Sequence, residues 1–164
     1  MSNPASADNE RTDRKRTVVH ASFTVTRVYD ASLQRVFHAF ADEKAKQKWF
    51  AGPPGWQLIK KEFDFREGGR EHLAGRHGNG TITVFDCIYH DIVPNERIIY
   101  SYVMHIDGRK ISVSQASIEL KPEGKGTKLV LTEYGDYLDG HDDAGSREHG
   151  TNFLMDALGR SVEG

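Results

Sequence analysis

The chain has 164 residues, 37% of them hydrophobic and 28% charged, with a net charge of -2. That size suits one domain burying roughly 70% of its unfolded surface around a single core. A balanced charge argues against a general nucleic-acid surface. No run of about 18 apolar residues offers a membrane span, and the N-terminus lacks the apolar stretch of a secretory signal. The single cysteine, Cys87, rules out an internal disulfide, so a reducing, cytoplasmic setting is expected.

Residues 1–16, MSNPASADNERTDRKR, carry only Met1, Ala5 and Ala7 as apolar groups and are expected to form a disordered tail. One domain is expected over 17–164. From Thr17 to Tyr29 the β-branched and aromatic run VVHASFTVTRVY reads as a long strand. In DASLQRVFHAFAD, Leu33, Val36, Phe37 and Phe40 share a helical face and Ser32 is positioned as N-cap. Asp42 caps a second short helix, EKAKQKWF, which the two prolines of GPPG must stop.

Strands then dominate. WQLIKKEFDF turns through REGGR into REHLAGRH; GNG leads to TITVFDCIYHDIV, and PNE to RIIYSYVMHI. Asp107-Gly108 is a two-residue hairpin signal. KISVSQASIEL passes through KPEGKG into TKLVLTEYG. Six consecutive strands make an antiparallel meander, which the first strand must join. From Ser146 onward Gly150, Phe153, Leu154, Ala157, Leu158 and Ser161 fall on one helical face, with Arg147, Glu148, Asp156 and Arg160 toward its flanks and back. The order predicts an α+β fold: a curved antiparallel sheet of about seven strands around a long C-terminal helix, with two short helices after the first strand.

This order, together with FDFREGGR (Phe63–Arg70), WFAGPPGW (Trp49–Trp56), PNERIIYSY, GTKLVLTEYG and REHGTNFLMDAL, resembles the START-like (SRPBCC, helix-grip) superfamily over about residues 17–162. Within it the chain resembles the branch named after the C-terminal domain of the activator of heat-shock-protein-90 ATPase. The resemblance implies a hydrophobic cavity between sheet and C-terminal helix. Lipid carriers, hormone receptors, polyketide cyclases and co-chaperones share the superfamily, so the fold alone does not set the function.

Candidate sites follow from residue chemistry. Asp139, His141, Asp142, Asp143, Glu148 and His149 are metal-ligand types, yet His141 and His149 straddle a loop–helix boundary, and the acids suit a helix N-terminus. His72 and His77 fall on opposite faces of one strand and read as two separate histidines. Cys87 sits mid-strand as a small packed or surface thiol, no serine occupies a nucleophile elbow, and Gly68-Gly69 form a turn rather than a phosphate loop. No metal and no cofactor is expected.

The strand rows carry the rest. Ile98, Tyr100, Tyr102 and Met104 alternate onto the concave face as core, or as a partly polar cavity whose phenols need partners. Glu133 continues the inward row of Leu129 and Leu131. A place at the wet rim is preferred because buried lone acids are rare; buried, it becomes the best general-base candidate in the chain. Trp49 and Trp56 either seal the core or stand at a pocket mouth. Gly150 costs about 1 kcal/mol in a helix interior, implying close approach to the sheet or room for a ligand.

The leading expectation is a binding protein for a small apolar or aromatic molecule, using Trp49, Trp56, Tyr100, Tyr102, Met104, Glu133, Gly150, Phe153 and Leu154. A cyclase or dehydratase working through Glu133 with Tyr100 or Tyr102 is the rival, and a chaperone-contacting module the third reading. A homodimer is a further expectation.

Overall fold

The computed structural model describes residues 16–163. The expected tail, apart from Arg16, lies outside the described residues. Arg16 itself is tied to the domain: its guanidinium donates to Asp139 Oδ2 at 2.9 Å, and the Thr17 amide donates to the other oxygen at 2.9 Å.

The elements run β1 (Val18–Tyr29), α1 (Leu33–Ala41), α2 (Glu43–Gln47), β2 (Gln57–Phe63), β3 (Arg70–Arg76), β4 (Ile82–Val93), β5 (Arg97–Ile106), β6 (Arg109–Glu123), β7 (Gly126–Leu138) and α3 (Ala144–Glu163). The strands form one antiparallel, curved sheet in the order β1-β7-β6-β5-β4-β3-β2. The meander is thus continuous from β2 to β7, and β1 closes onto its far end. The α+β helix-grip architecture read from the sequence is the architecture observed.

Local chemistry sets the boundaries. Ser32 Oγ accepts from the Arg35 amide at 3.2 Å, and Asp42 Oδ2 accepts from Ala45 at 2.9 Å, satisfying amide donors that each helix start leaves open. Asp107 and Gly108 hold φ of 50° and 79°, the left-handed pair a tight hairpin needs. Register shifts leave one extra residue, His90 on β4 and Ile111 on β6, and such bulges bend a sheet locally.

The core lies between the concave face and the helices. Phe23 and Val25 of β1, Ile98, Ile118, Leu129 and Leu131 of the sheet, and Val36 and Phe40 of α1 are all buried. From α3 the buried residues are Thr151, Met155, Leu158, Gly159 and Val162.

The inward face of α3 therefore differs from the one that apolar periodicity predicts. Periodicity predicts Phe153 inward, but it is 52% exposed, while Met155 is 2% exposed. Arg147, expected on the flanks or back, reaches inward. Polar ties set the rotation. Tyr29 donates its hydroxyl to the Met155 carbonyl at 2.7 Å, and Arg27 holds Asn152 and Asp156 at 2.7 and 2.9 Å. One residue step turns a helix by about 100°, so Phe153 and Met155 cannot both face the sheet. Gly159 is the close-approach glycine: a β-carbon there would lie 3.0 Å from Tyr29 Cε1.

Candidate functional site

Residues paired across an antiparallel sheet project from the same face, so the register builds the site. One row runs Tyr89, Tyr100, Ala116, Glu133 and Phe23; the next runs Glu71, Cys87, Tyr102, Ser114 and Gly135. In the first row large side chains on β4, β5 and β7 flank Ala116 of β6; in the second, Tyr102 stands beside the small Ser114 and Gly135. Above these rows lies a cavity of about 360 Å³. Sheet residues, the Trp49–Trp56 segment and the inward side of α3 enclose it.

Two buried charge clusters mark the cavity wall. In the first, the Tyr102 hydroxyl donates to both Glu133 oxygens at 2.9 Å and accepts from Arg147 at 2.7 Å. Arg147 also donates to Ser112 at 2.8 Å and Asp142 at 2.7 Å, and its nearest Glu133 oxygen is 3.8 Å away. Glu133 is 2% exposed, so the preferred rim placement is overturned. The guanidinium and phenol supply the partners that the sequence pattern did not reveal. Burial pushes the Glu133 carboxyl up to about 7, with Arg147 and the Tyr102 hydrogen bond opposing that rise. Burial raises the Tyr102 phenol above its ordinary value, and the Glu133 charge adds to the shift.

The second cluster joins α2 to β3 and β4. Lys46 Nζ donates to Glu71 Oε1 at 2.5 Å and to the Tyr89 hydroxyl at 3.2 Å, and Tyr89 donates to the same Glu71 oxygen at 2.5 Å. The ammonium sits 4.6 Å from the centre of the Phe50 ring, a cation–π distance. Cys87 is buried nearby, and burial pushes its thiol up to about 12, so it stays protonated rather than nucleophilic.

Chemically, the first cluster can exchange a proton near neutral pH. The second presents a fixed ion pair beneath aromatic rings.

The family described as "Activator of Hsp90 ATPase homolog 1-like protein" matches residues 30–163. The chain belongs to this family. Its structure is similar to the Mll3558 protein from Rhizobium loti, with 41% identity, 89% of this chain and 99% of that one covered, and a TM-score of 0.83. A protein from Rhizobium leguminosarum matches at 38% identity, 91% and 98% coverage and a TM-score of 0.86. An AHSA1-like protein from Aeromonas hydrophila shares the fold at 19% identity, 87% and 92% coverage and a TM-score of 0.67. Comparison with curated proteins finds no match.

Within this AHSA1-like domain the expected site residues sort clearly. Trp49, Trp56, Tyr100, Tyr102, Met104, Glu133, Gly150 and Leu154 all border the cavity. Trp49 is also core: it is 5% exposed, and its indole donates to the Ala39 carbonyl at 2.9 Å. Trp56 lies flat against two glycines, and a β-carbon on Gly75 would fall 1.9 Å from its Cε2. Gly150 meets open space, so the close-approach reading fails and the room-for-a-ligand reading keeps its geometry. Phe153 points away.

The acidic stretch starts the helix. Asp143 accepts from the Ser146 amide at 2.8 Å, Asp142 holds Arg147, and Asp139 holds Arg16 and Thr17. His72 pairs with Asp86 at 2.6 Å and His77 with Thr83 at 3.0 Å, two separate contacts.

Sequence reasoning missed Arg147, Lys46, Glu71 and Tyr89. Signals existed for two of them. Glu71 alternates with Leu73 just as Glu133 alternates with Leu131, and Lys46 stands three and four residues before Trp49 and Phe50 on one helical side.

Proposed function

We propose that this domain binds a small apolar or aromatic molecule in the cavity between its sheet and C-terminal helix. One observation carries the reading: about 360 Å³ of space is walled by Phe50, Trp56, Phe85, Tyr100, Tyr102 and Leu154. That volume is at the small end of the range for small-molecule sites, which are mostly apolar with a few placed polar groups. No helix among the described residues is long and apolar enough to cross a membrane. The single cysteine is consistent with a cytoplasmic setting.

The test is native mass spectrometry of freshly purified protein, followed by thermal shifts with the molecule that co-purifies. At 100 times its dissociation constant a ligand stabilises the folded state by about 2.7 kcal/mol. In a domain of this size that raises the melting temperature by roughly 5–10 °C. Tyr102→Asp should remove the shift. A shift that survives this substitution places binding elsewhere.

A second reading has its own support. Glu133, pushed up to about 7 beside a neutral phenol, is suited to proton transfer of the cyclase or dehydratase kind. Turnover of the bound molecule, lost in Glu133→Gln while binding is kept, selects it. Retention of a chaperone on the immobilised domain at high salt would favour the interaction module instead.

A further inference from the structure

The polar groups of the cavity differ in how completely the protein uses them. Tyr102 donates to Glu133 and accepts from Arg147; Tyr89 donates to Glu71 and accepts from Lys46. The Trp49 indole donates to Ala39. Tyr100 stands beside Tyr89 on one row and 6.0 Å from Tyr102 by ring centre, and it borders the cavity. Its hydroxyl has no hydrogen-bond partner among the described residues. The hydroxyl is not sealed in the core: Tyr100 is only partly buried and borders the cavity, where a bound molecule can reach it and supply the missing acceptor. Desolvation keeps its phenol well above the ordinary range, so it presents a neutral O–H donor.

The cavity's cations are not open in this way. Lys46 is held by Glu71 at 2.5 Å, and Arg147 by Asp142 at 2.7 Å with Glu133 at 3.8 Å. An anionic ligand entering here meets cations already paired and the Glu133 carboxyl close to Tyr102. Transferring its charge out of water gains no free counter-ion, which is unfavourable in a low-dielectric site.

We infer that the cavity selects an uncharged aromatic or conjugated molecule bearing a hydrogen-bond acceptor, a ketone oxygen for example, which the Tyr100 hydroxyl reads. The inference rests on the ligand-binding reading above and assigns Tyr100 as its specificity-determining residue. The aromatic body packs among Phe50, Phe85 and Trp56, and the acceptor is directed to the floor of the sheet.

Three probes of matched shape test this with the full chain at pH 8 by isothermal titration calorimetry: 2-acetylnaphthalene, 2-ethylnaphthalene and 2-naphthoate. The wild type should bind the ketone about 10-fold more tightly than the ethyl compound, the yield of one good hydrogen bond, and should bind the carboxylate weakest. In Tyr100→Phe the ketone advantage should fall below about 3-fold, with 2-ethylnaphthalene affinity unchanged. If the ketone advantage survives in Tyr100→Phe, or the carboxylate binds as tightly as the ketone, the inference is overturned, while binding of 2-ethylnaphthalene still upholds the cavity as a site. Binding of none of the three removes both readings together. Should Tyr100→Phe fail to fold, the wild-type ranking decides, and an ethyl compound that equals the ketone overturns the inference.

Discussion

Tyr102 and Glu133 meet across an intervening strand: the phenol donates to both carboxylate oxygens at 2.9 Å, although β6 lies between β5 and β7. Strands two apart are separated by about 10 Å, so the contact requires small residues beneath it. Ser114 and Ala116 supply them, and both are buried. The carboxyl is thereby fixed at a depth where its charge is disfavoured.

Glu133 should make stability fall as pH rises. Its folded value, about 7, lies above the ordinary 4.5, so the folded state binds the proton more tightly than the unfolded chain does. The associated stability is fully present below about 4.5 and lost as pH climbs through about 7. Glu133→Gln removes this dependence. Relative to wild type, the variant should gain up to about 3 kcal/mol between pH 4.5 and 8. Urea unfolding at the two pH values measures the difference, and a constant gap would show that Glu133 titrates normally.

Lys46→Met should destabilise by about 3–5 kcal/mol, because Glu71 is left as a buried charge with only the Tyr89 hydroxyl. Adding Glu71→Gln should recover much of the loss. A double variant no better than the single one would show that the ion pair itself, not the orphaned charge, carries the energy.

The rotation of α3 can be tested by two truncations. Phe153→Ala should change stability by no more than about 0.5 kcal/mol, since its side chain is largely in water. Leu158→Ala, at a fully buried position, should cost about 2–5 kcal/mol. Equal losses in chemical denaturation would mean the helix sits in the other rotation.

Gly75→Ala should displace Trp56, because the new β-carbon would overlap the indole. In a Trp49→Phe background Trp56 alone reports, and its emission should shift to the red as the ring moves into water. The overlap should cost about 1–3 kcal/mol. Unchanged emission would place the indole away from β3.

Much of this molecule was legible because period and punctuation agreed. Ser32, Asp42 and Asp107-Gly108 announced their turns, and the Ile98–Met104 alternation faced the concave side as read. The failures share one cause. Apolar periodicity turns Phe153 inward and Arg147 outward, but Arg27, Tyr29 and Glu133, all distant in sequence, fix the rotation of α3 with polar ties. The sequence favours the rim for Glu133 because one strand does not show what stands opposite it. Its partners come from β5 and α3, and only the fold brings them together.

The strand order also imposes a schedule on the chain during its synthesis. Thr24 of β1 lies beside Thr132 of β7, 108 residues later. At 5–20 residues per second the ribosome needs roughly 5–20 s to bridge that gap. The first strand among the described residues is therefore among the last to be paired. Throughout that interval it waits with an open edge and an apolar face, while β2 to β6 can zip up in turn by local hairpins. Such long-range closure slows folding, and it makes β1 the segment most in need of protection on the way out of the ribosome.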